Sequence, residues 1–570
     1  MRVTRREFLI GSSAALGMIA TPAVAKLGEN FSSEDFLPGR PDKSFSILNR
    51  IAYGGTPEQQ QHLDEIGLKK YLEYQLNPQH GTDAACNERL SKATLHIEYK
   101  AKDMKPGDKP DETWPAVKED RPLLTLGDDI EDLWKLTDGK RVNYNEQIRP
   151  AQEVRSATWL RAVYSEWQLR EVMVEFWHNH FNVNAFGDGH IGATWPVYDA
   201  IMRRNCFGNF RIFLEDVAKS TAMLLYLNNA KSKASPANEN YARELFELHT
   251  LGADHYYNNL YNRWREVPGA VHGAPIGYID QDVYEAARAF TGWTIEDGSN
   301  TGRGTTFPST GKFTYFDGWH DNYQKRVLGN EFDPNAPPMA DGNKVLDLVA
   351  HHPGTAIYLC TKLCRRLVSD EPPKQLLTRA VKTWQKYAKH PEQIKYVLRT
   401  IILSPEFADS EGRKVKRPFE FVASFLRTTG ASFVPNEHLF NSVADAGYRH
   451  FSWPMPTGHP DTAEFWINTS STLTNWNIAA DLASGGIKDA NFDMKAQTPA
   501  DIRTSRQLVY YWTRRMVGKE PDDGLFSTLM QFTPHPTDAY FVPDLNNKDV
   551  NNSLKQMVVA IAMLPDFQVR

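Results

Sequence analysis

The sequence predicts a mainly α-helical, multi-helical globular protein with a small β-hairpin insertion and two related helical units towards its C-terminal end. Three observations carry this. Apolar residues recur at helical spacing through most of the chain, and capping residues punctuate those runs. Only residues 296–316 shift to Gly, Thr and Ser, with Phe313-Thr314-Tyr315-Phe316 alternating as in a hairpin. At 570 residues the chain exceeds the ~250–300 at which single cores stop growing, so more than one unit is expected. The expected division is a leader over 1–25, a helical region over 26–345 that holds the candidate site, and a second helical region over 346–570.

The leader is read from three ordered signals. Thr4-Arg5-Arg6-Glu7-Phe8-Leu9-Ile10 is a twin-arginine pattern, a short apolar run follows to Ala20, and Ala23-Val24-Ala25 is a small-residue cleavage site. Export by the twin-arginine route, cleavage after Ala25 and a periplasmic or extracellular mature chain are expected. No later window offers the roughly 18 apolar residues of a membrane span. With a formal charge of -5 and no basic block beyond pairs such as Arg365-Arg366, nucleic acid is not an expected partner. Aromatics make up 12% of the chain, including 14 Trp and 23 Tyr, which suits either sugar stacking or gap filling between helices. Of the four cysteines, Cys360 and Cys364 lie one helical turn apart, where a bridge would be strained. They read as small buried apolar groups, and the pairing of Cys86 and Cys206 stays open.

In chain order, residues 26–41 are polar and read as loop. Thr56-Pro57-Glu58-Gln59 is a cap followed by Pro at the first helical position, opening a helix that ends near Asn77-Pro78. Residues 100–121, rich in Lys, Asp and Pro without periodicity, are expected as an exposed loop or insertion. Helical pattern returns at 129–136 and again from Ala151 into residues 165–184, a helix apolar enough to be expected at the centre of the fold. There Leu169, Val172, Met173, Phe176 and His180 share one side, and Gln168, Glu171, Glu175, His178 and Asn179 form a polar stripe opposite. Helices are also expected over 210–227, 238–252 and 280–290. In the second of these, Glu239, Arg243 and Glu247 form an i, i+4, i+8 ladder, while Glu244 and His249 fall inside the apolar arc and require partners. The hairpin then leads into a loop carrying His320 and Asp321.

Beyond residue 351 the chain partly repeats itself. Arg365-Arg366-Leu367-Val368-Ser369-Asp370-Glu371-Pro372 is echoed by Arg514-Arg515-Met516-Val517-Gly518-Lys519-Glu520-Pro521, and Leu403-Ser404-Pro405-Glu406-Phe407 by Leu564-Pro565-Asp566-Phe567. Two stacked helical units of about 50–60 residues are expected. A Pro/Gly-rich loop at 453–461 separates them.

Two chemistries fit these residues. A divalent or transition metal is suggested by Glu175, His178, His180 and His249: Glu175 and His178 have the Glu-x-x-His spacing of di-iron carboxylate bundles, and His-x-His converges on one ion if the helix unwinds there. On an intact helix the two rings diverge by about 200°. The metal-free alternative has Glu244 as general base or acid, with His320 oriented by Asp321 as a second proton carrier, provided these blocks meet in space. No Gly-x-Ser-x-Gly elbow, phosphate loop, dinucleotide fingerprint or Cys-x-x-Cys-His is present. A third reading takes the same blocks as a buried network in a non-catalytic binding or assembly partner. Open cavity or mutual pairing separates the alternatives.

Trp177-His178-Asn179-His180-Phe181, Asn238-Glu239-Asn240-Tyr241-Ala242-Arg243-Glu244-Leu245, Asp282-Val283 with Ala287-Arg288 and Thr291-Gly292-Trp293, and His320-Asp321 with Lys325 and Leu328-Gly329 resemble the ordered blocks of bacterial domain-of-unknown-function family 1800, from about Phe45 onward. The resemblance implies exported bacterial proteins, often with twin-arginine signals and encoded beside a sulfatase- or phosphatase-like exported protein. It supplies no reaction and no catalytic residue. Residues 100–121 depart from the pattern. The leading expectation is an envelope hydrolase, with or without a metal, acting on a carbohydrate or related polymer.

Overall fold

The computed structural model describes residues 36–79, 83–107, 109–302 and 304–570; the expected twin-arginine leader and the expected cleavage site after Ala25 lie outside them. The fold is mainly α: 25 α-helices among the described residues and three separate two-stranded antiparallel ribbons. No helix among them is long and apolar enough to cross a membrane. Local chemistry sets most helix ends where the sequence predicts. The helix Pro57–Leu76 is capped by Thr56, whose side chain accepts from Gln59 N. The expected run at 210–227 is instead two helices, Phe210–Ala218 and Thr221–Tyr226, because Ser220 caps the second through Met223 N.

Residues 100–121 are not simply loop. Strand β1 (Thr94–Tyr99) pairs with β2 (Val117–Pro122), with Thr94 opposite Pro122 and Tyr99 opposite Val117. Leu95 and Ile97 point inward, while cross-strand pairs such as His96–Asp120 at 2.7 Å and Lys118–Glu98 at 3.1 Å hold the exposed face. Charged cross-strand pairs carry little hydropathy signal, which is why the pattern reads as loop. The expected hairpin is present as β3 (Trp293–Asp297) on β4 (Ser309–Tyr315), and β5 (Lys325–Val327) pairs with β6 (Asn330–Phe332).

The buried apolar residues form two large cores. The first draws on residues from Ile47 to Phe407, together with Phe451. The second is built mainly from Phe419 to Phe567. The helix Gln168–His180 lies where they meet: Leu169, Met173, Phe176 and Trp177 belong to the first and Val172 to the second. Both copies of the repeat fold alike. Pro353–Leu367, Lys374–Lys386, Gln393–Ile402 and Pro405–Ala408 are matched in order by Ser505–Val517, Asp523–Met530, Lys548–Ala562 and Pro565–Gln568. They do not form one stack, because the first copy packs into the first core and the second into the second. All four cysteines are free and buried.

Candidate functional site

The polar stripe of the central helix faces inward, between the two cores. Gln168, Glu171, Glu175 and His178 are all buried, so each carries a partner. At its N-terminal half, Glu171 accepts from Arg203 at 2.9 Å, and Asp199 accepts from Arg203 at 2.7 Å and from His178 Nε2 at 3.0 Å. Burial opposes the Asp199 charge, yet Arg203 and His178 hold its carboxyl below the usual range. Further along, Glu175 accepts from the Tyr448 hydroxyl at 2.6 Å and from Arg417 at 2.6 Å, with Arg366 at 3.5 Å. Arg366 and Arg417 also pair with Glu420. Asn179 closes the row by gripping the backbone of His459, donating to its carbonyl at 2.9 Å and accepting its N–H at 2.6 Å.

That last contact builds a wall. The loop 453–461 lies against the central helix, pinned also by Asn182, which donates to the carbonyls of Trp453 at 3.2 Å and Met455 at 2.7 Å. Gly458 has φ +71°, and a Cβ there would meet the Asn179 carbonyl oxygen at 2.1 Å, so the close approach requires glycine. Between this wall, the central helix and the helix Pro353–Leu367 lies a half-open cavity of about 250 Å³. Its polar lining includes Glu175, Asn179, Lys362, Arg365, Arg417 and Asp461.

The electrostatics are lopsided. In and immediately behind the lining, six cations (Lys362, Arg365, Arg366, Lys414, Arg417, Arg570) face four carboxylates (Glu175, Asp370, Glu420, Asp461). Burial would raise the Asp461 carboxyl, but Lys414 and the guanidinium groups of Arg366, Arg417 and Arg570 bring it down to about 2. Glu420 is held well below its ordinary range by Arg366 and Arg417, again against burial. Even so, the Nε atoms of Arg366, Arg417 and Arg570 have no hydrogen-bond partner. Lys362 is different in kind. Its Nζ donates to His180 Nδ1 at 3.0 Å, and burial brings its amine down to about 8, with Asp461 opposing and Arg365 adding.

The structure separates the residues expected to share a metal. The central helix stays regular through His180, so the two rings diverge: His178 goes to Asp199, while His180 takes Lys362 on Nδ1 and donates from Nε2 to the His249 carbonyl at 3.2 Å. The Glu175/His178 pair is divided between two networks. His249 is wholly buried with neither ring nitrogen partnered, and burial lowers its imidazole to about 3. Among the described residues no group of three or more His, Cys, Asp or Glu could hold a metal ion.

The proposed proton carriers do not converge either. The expected helix 238–252 is an α-turn, Asn240–Glu244, running into a π-turn, Leu245–His249. The π-turn rephases the face, and Glu244 is half-buried, its carboxyl raised by burial and by Glu247. Asp321 does not orient His320. It takes a two-pronged contact from Arg288 at 2.8 and 3.0 Å, while His320 Nδ1 donates to the Thr291 carbonyl at 2.8 Å and its Nε2 lies 3.3 Å from Asp341. Lys325, buried, donates to Asp341 at 2.7 Å and to the Tyr323 carbonyl at 2.9 Å. This is a closed network around a turn, and neither Glu244 nor His320 lines the cavity.

Sequence reasoning missed Lys362, Arg366, Arg417, Glu420 and Asp461. The available signals were the Arg365-Arg366 pair at the end of an apolar helix and the Gly-His-Pro-Asp run in an otherwise apolar loop.

Fold and site together define a multi-helical protein whose two cores meet at a net-cationic cleft. The chain matches the family described as "Protein of unknown function (DUF1800)" over residues 46–569, and it belongs to that family. No curated protein and no solved structure matches it.

Proposed function

We propose that this is an exported envelope protein that takes an acidic group of a carbohydrate or related polymer into the cleft beside Lys362 and Arg365. The observation that carries the reading is the surplus of cations around a half-open cavity in a chain whose net charge is -5. A carboxylate, sulfate or phosphate ester entering there meets charge-assisted donors. A sulfatase- or phosphatase-like exported partner would work on ligands of the same chemistry, and export by the twin-arginine route would bring the two together.

The test is calorimetric titration of the mature chain, starting at Lys26, with glucuronate, a sulfated monosaccharide and inorganic phosphate. At least one is expected to bind saturably and to lose about tenfold or more in affinity in Lys362→Met and Arg365→Met, since a hydrogen bond to a charged group contributes about 1.5–3 kcal/mol. No binding by any of the three sinks the reading.

Hydrolysis of the bound polymer is a second reading, favoured by the amine of Lys362, which releases its proton near neutral pH at the edge of the cavity. In its neutral form Lys362 takes a proton from water as the water oxygen attacks the scissile centre, and returns it to the leaving oxygen. Release of reducing ends from acidic but not neutral polysaccharides, abolished by Lys362→Arg with ligand binding retained, is the expected result.

A further inference from the structure

Three charged side chains of the cleft stand apart from the ion pairs behind it. Lys362 and Arg365 lie three residues apart on the helix Pro353–Leu367, and Asp461 ends the loop that forms another wall. Opposite charges lining one cavity attract each other, yet each of these is held elsewhere. Lys362 is held by His180 Nδ1 at 3.0 Å, Arg365 through its Nε by the Asp370 carbonyl at 3.0 Å, and Asp461 through its Oδ1 by Lys414 at 3.1 Å. Among the described residues, neither Lys362 nor Arg365 pairs with Asp461.

These anchors leave reachable atoms. Both Nη groups of Arg365 and the Oδ2 of Asp461 take no hydrogen-bond partner among the described residues, and all three keep accessible surface. The Asp461 side chain is 21% exposed. Lys414 and the guanidinium groups of Arg366, Arg417 and Arg570 keep it ionised. An ionised carboxylate only accepts, so whatever meets Oδ2 must donate. The donor that fits is a hydroxyl and not an ammonium, because those four cations already surround the same carboxylate. On the helix side, the two free Nη groups of Arg365 form a planar fork that matches the two oxygens of a carboxylate, and Lys362 adds a second positive charge. An anion without a neighbouring donor would face Asp461 and be repelled.

We propose that the cleft takes a hydroxy carboxylate, such as a uronic acid unit of a polymer, with its carboxylate on Arg365 and Lys362 and a neighbouring hydroxyl donating to Asp461 Oδ2. Asp461 is then the residue that selects the ligand. This rests on the anion-binding reading of the cleft and adds to it the requirement for a donor beside the acid. Phe176 and Tyr358, also in the lining, offer apolar surface to the C–H face of a ring.

The test is calorimetric titration of the mature chain with glucuronate, with tetrahydropyran-2-carboxylate, which has the same ring and acid but no hydroxyls, and with inorganic phosphate. Glucuronate is expected to bind about tenfold or more tightly than the hydroxyl-free acid, the contribution of one hydrogen bond to a charged group. Asp461→Asn keeps an oxygen for Lys414 and removes the charge. It is expected to close that gap to about twofold, weakening glucuronate while the hydroxyl-free acid binds as well or better. Should the variant fail to fold, the comparison of the two acids on the unaltered chain still decides. Equal affinity for the two acids, an equal loss of both in Asp461→Asn, or tighter binding of phosphate than of glucuronate overturns the proposal and leaves the anion reading of the cleft standing. Binding by none of the three overturns both.

Discussion

At the scale of single residues, Lys362 is a group lining the cleft whose charge changes within an accessible pH range. Its ammonium is the anion-binding form, and it loses its proton as pH rises through about 8. Affinity for an acidic monosaccharide is therefore expected to fall about tenfold between roughly pH 7 and 9, which titration at several pH values will read. Lys362→Arg keeps its charge throughout and should flatten that dependence. Glu175 and Arg417 act on stability instead. Arg417→Met leaves Glu175 and Glu420 short of a cation in a buried setting, a loss of about 3–5 kcal/mol in urea unfolding. Glu244→Gln is the contrasting case. Half-buried and with its carboxyl already raised, Glu244 should tolerate the change within about 0.5 kcal/mol and leave anion affinity untouched.

Elements decide how the cleft is held open. The loop 453–461 owes its place to side chains from elsewhere: Asn179 and Asn182, the Tyr226 hydroxyl on the Pro454 carbonyl at 3.0 Å, and Lys414 on the Asp461 carbonyl at 2.9 Å. Gly458→Ala forces a Cβ against the Asn179 carbonyl oxygen in a left-handed conformation. The expected outcome is a loss of about 1–3 kcal/mol in stability together with weakened anion binding, with faster hydrogen exchange confined to 453–461. The elements also explain the misplaced Glu244. A helical wheel assumes an unbroken 3.6-residue period, and the π-turn Leu245–His249 breaks it. Nothing in the local spacing of residues 238–252 announces that turn, whereas the caps at Thr56 and Ser220 are written in the residues themselves.

On the scale of the whole molecule, the two halves are joined through ion pairs at the meeting of the cores. Glu420 and Asp461 have carboxyls depressed by Arg366 and Arg417, Asp461 to about 2. Depressed carboxylates stabilise the fold fully above the ordinary carboxylate range, and that stability is lost as pH falls from about 4 to about 2. Asp461 alone accounts for on the order of 2 kcal/mol. Urea midpoints are expected to drop steeply over that window, and Arg417→Met should blunt the slope. The repeat has diverged along the same line: Arg366 in the first copy pairs with Glu420 at the cleft, while its counterpart Arg515 spends its Nε on the Thr428 carbonyl.

The sequence by itself determined the helical fold class, most helix boundaries, the β3–β4 hairpin, the repeat and the family. The fold class, helix boundaries and hairpin rest on periodicity and capping, which act over a few residues, and the repeat and the family on ordered blocks of matching residues. It also marked the stripe Gln168, Glu171, Glu175, His178 and Asn179 as polar groups in need of company. Which company they keep was decided only by tertiary structure. Glu175 meets Arg417 across 242 residues and Asn179 meets His459 across 280, and no local spacing encodes either pairing. A buried charge announces that it needs a partner; where that partner comes from depends on how the two cores close on the helix between them.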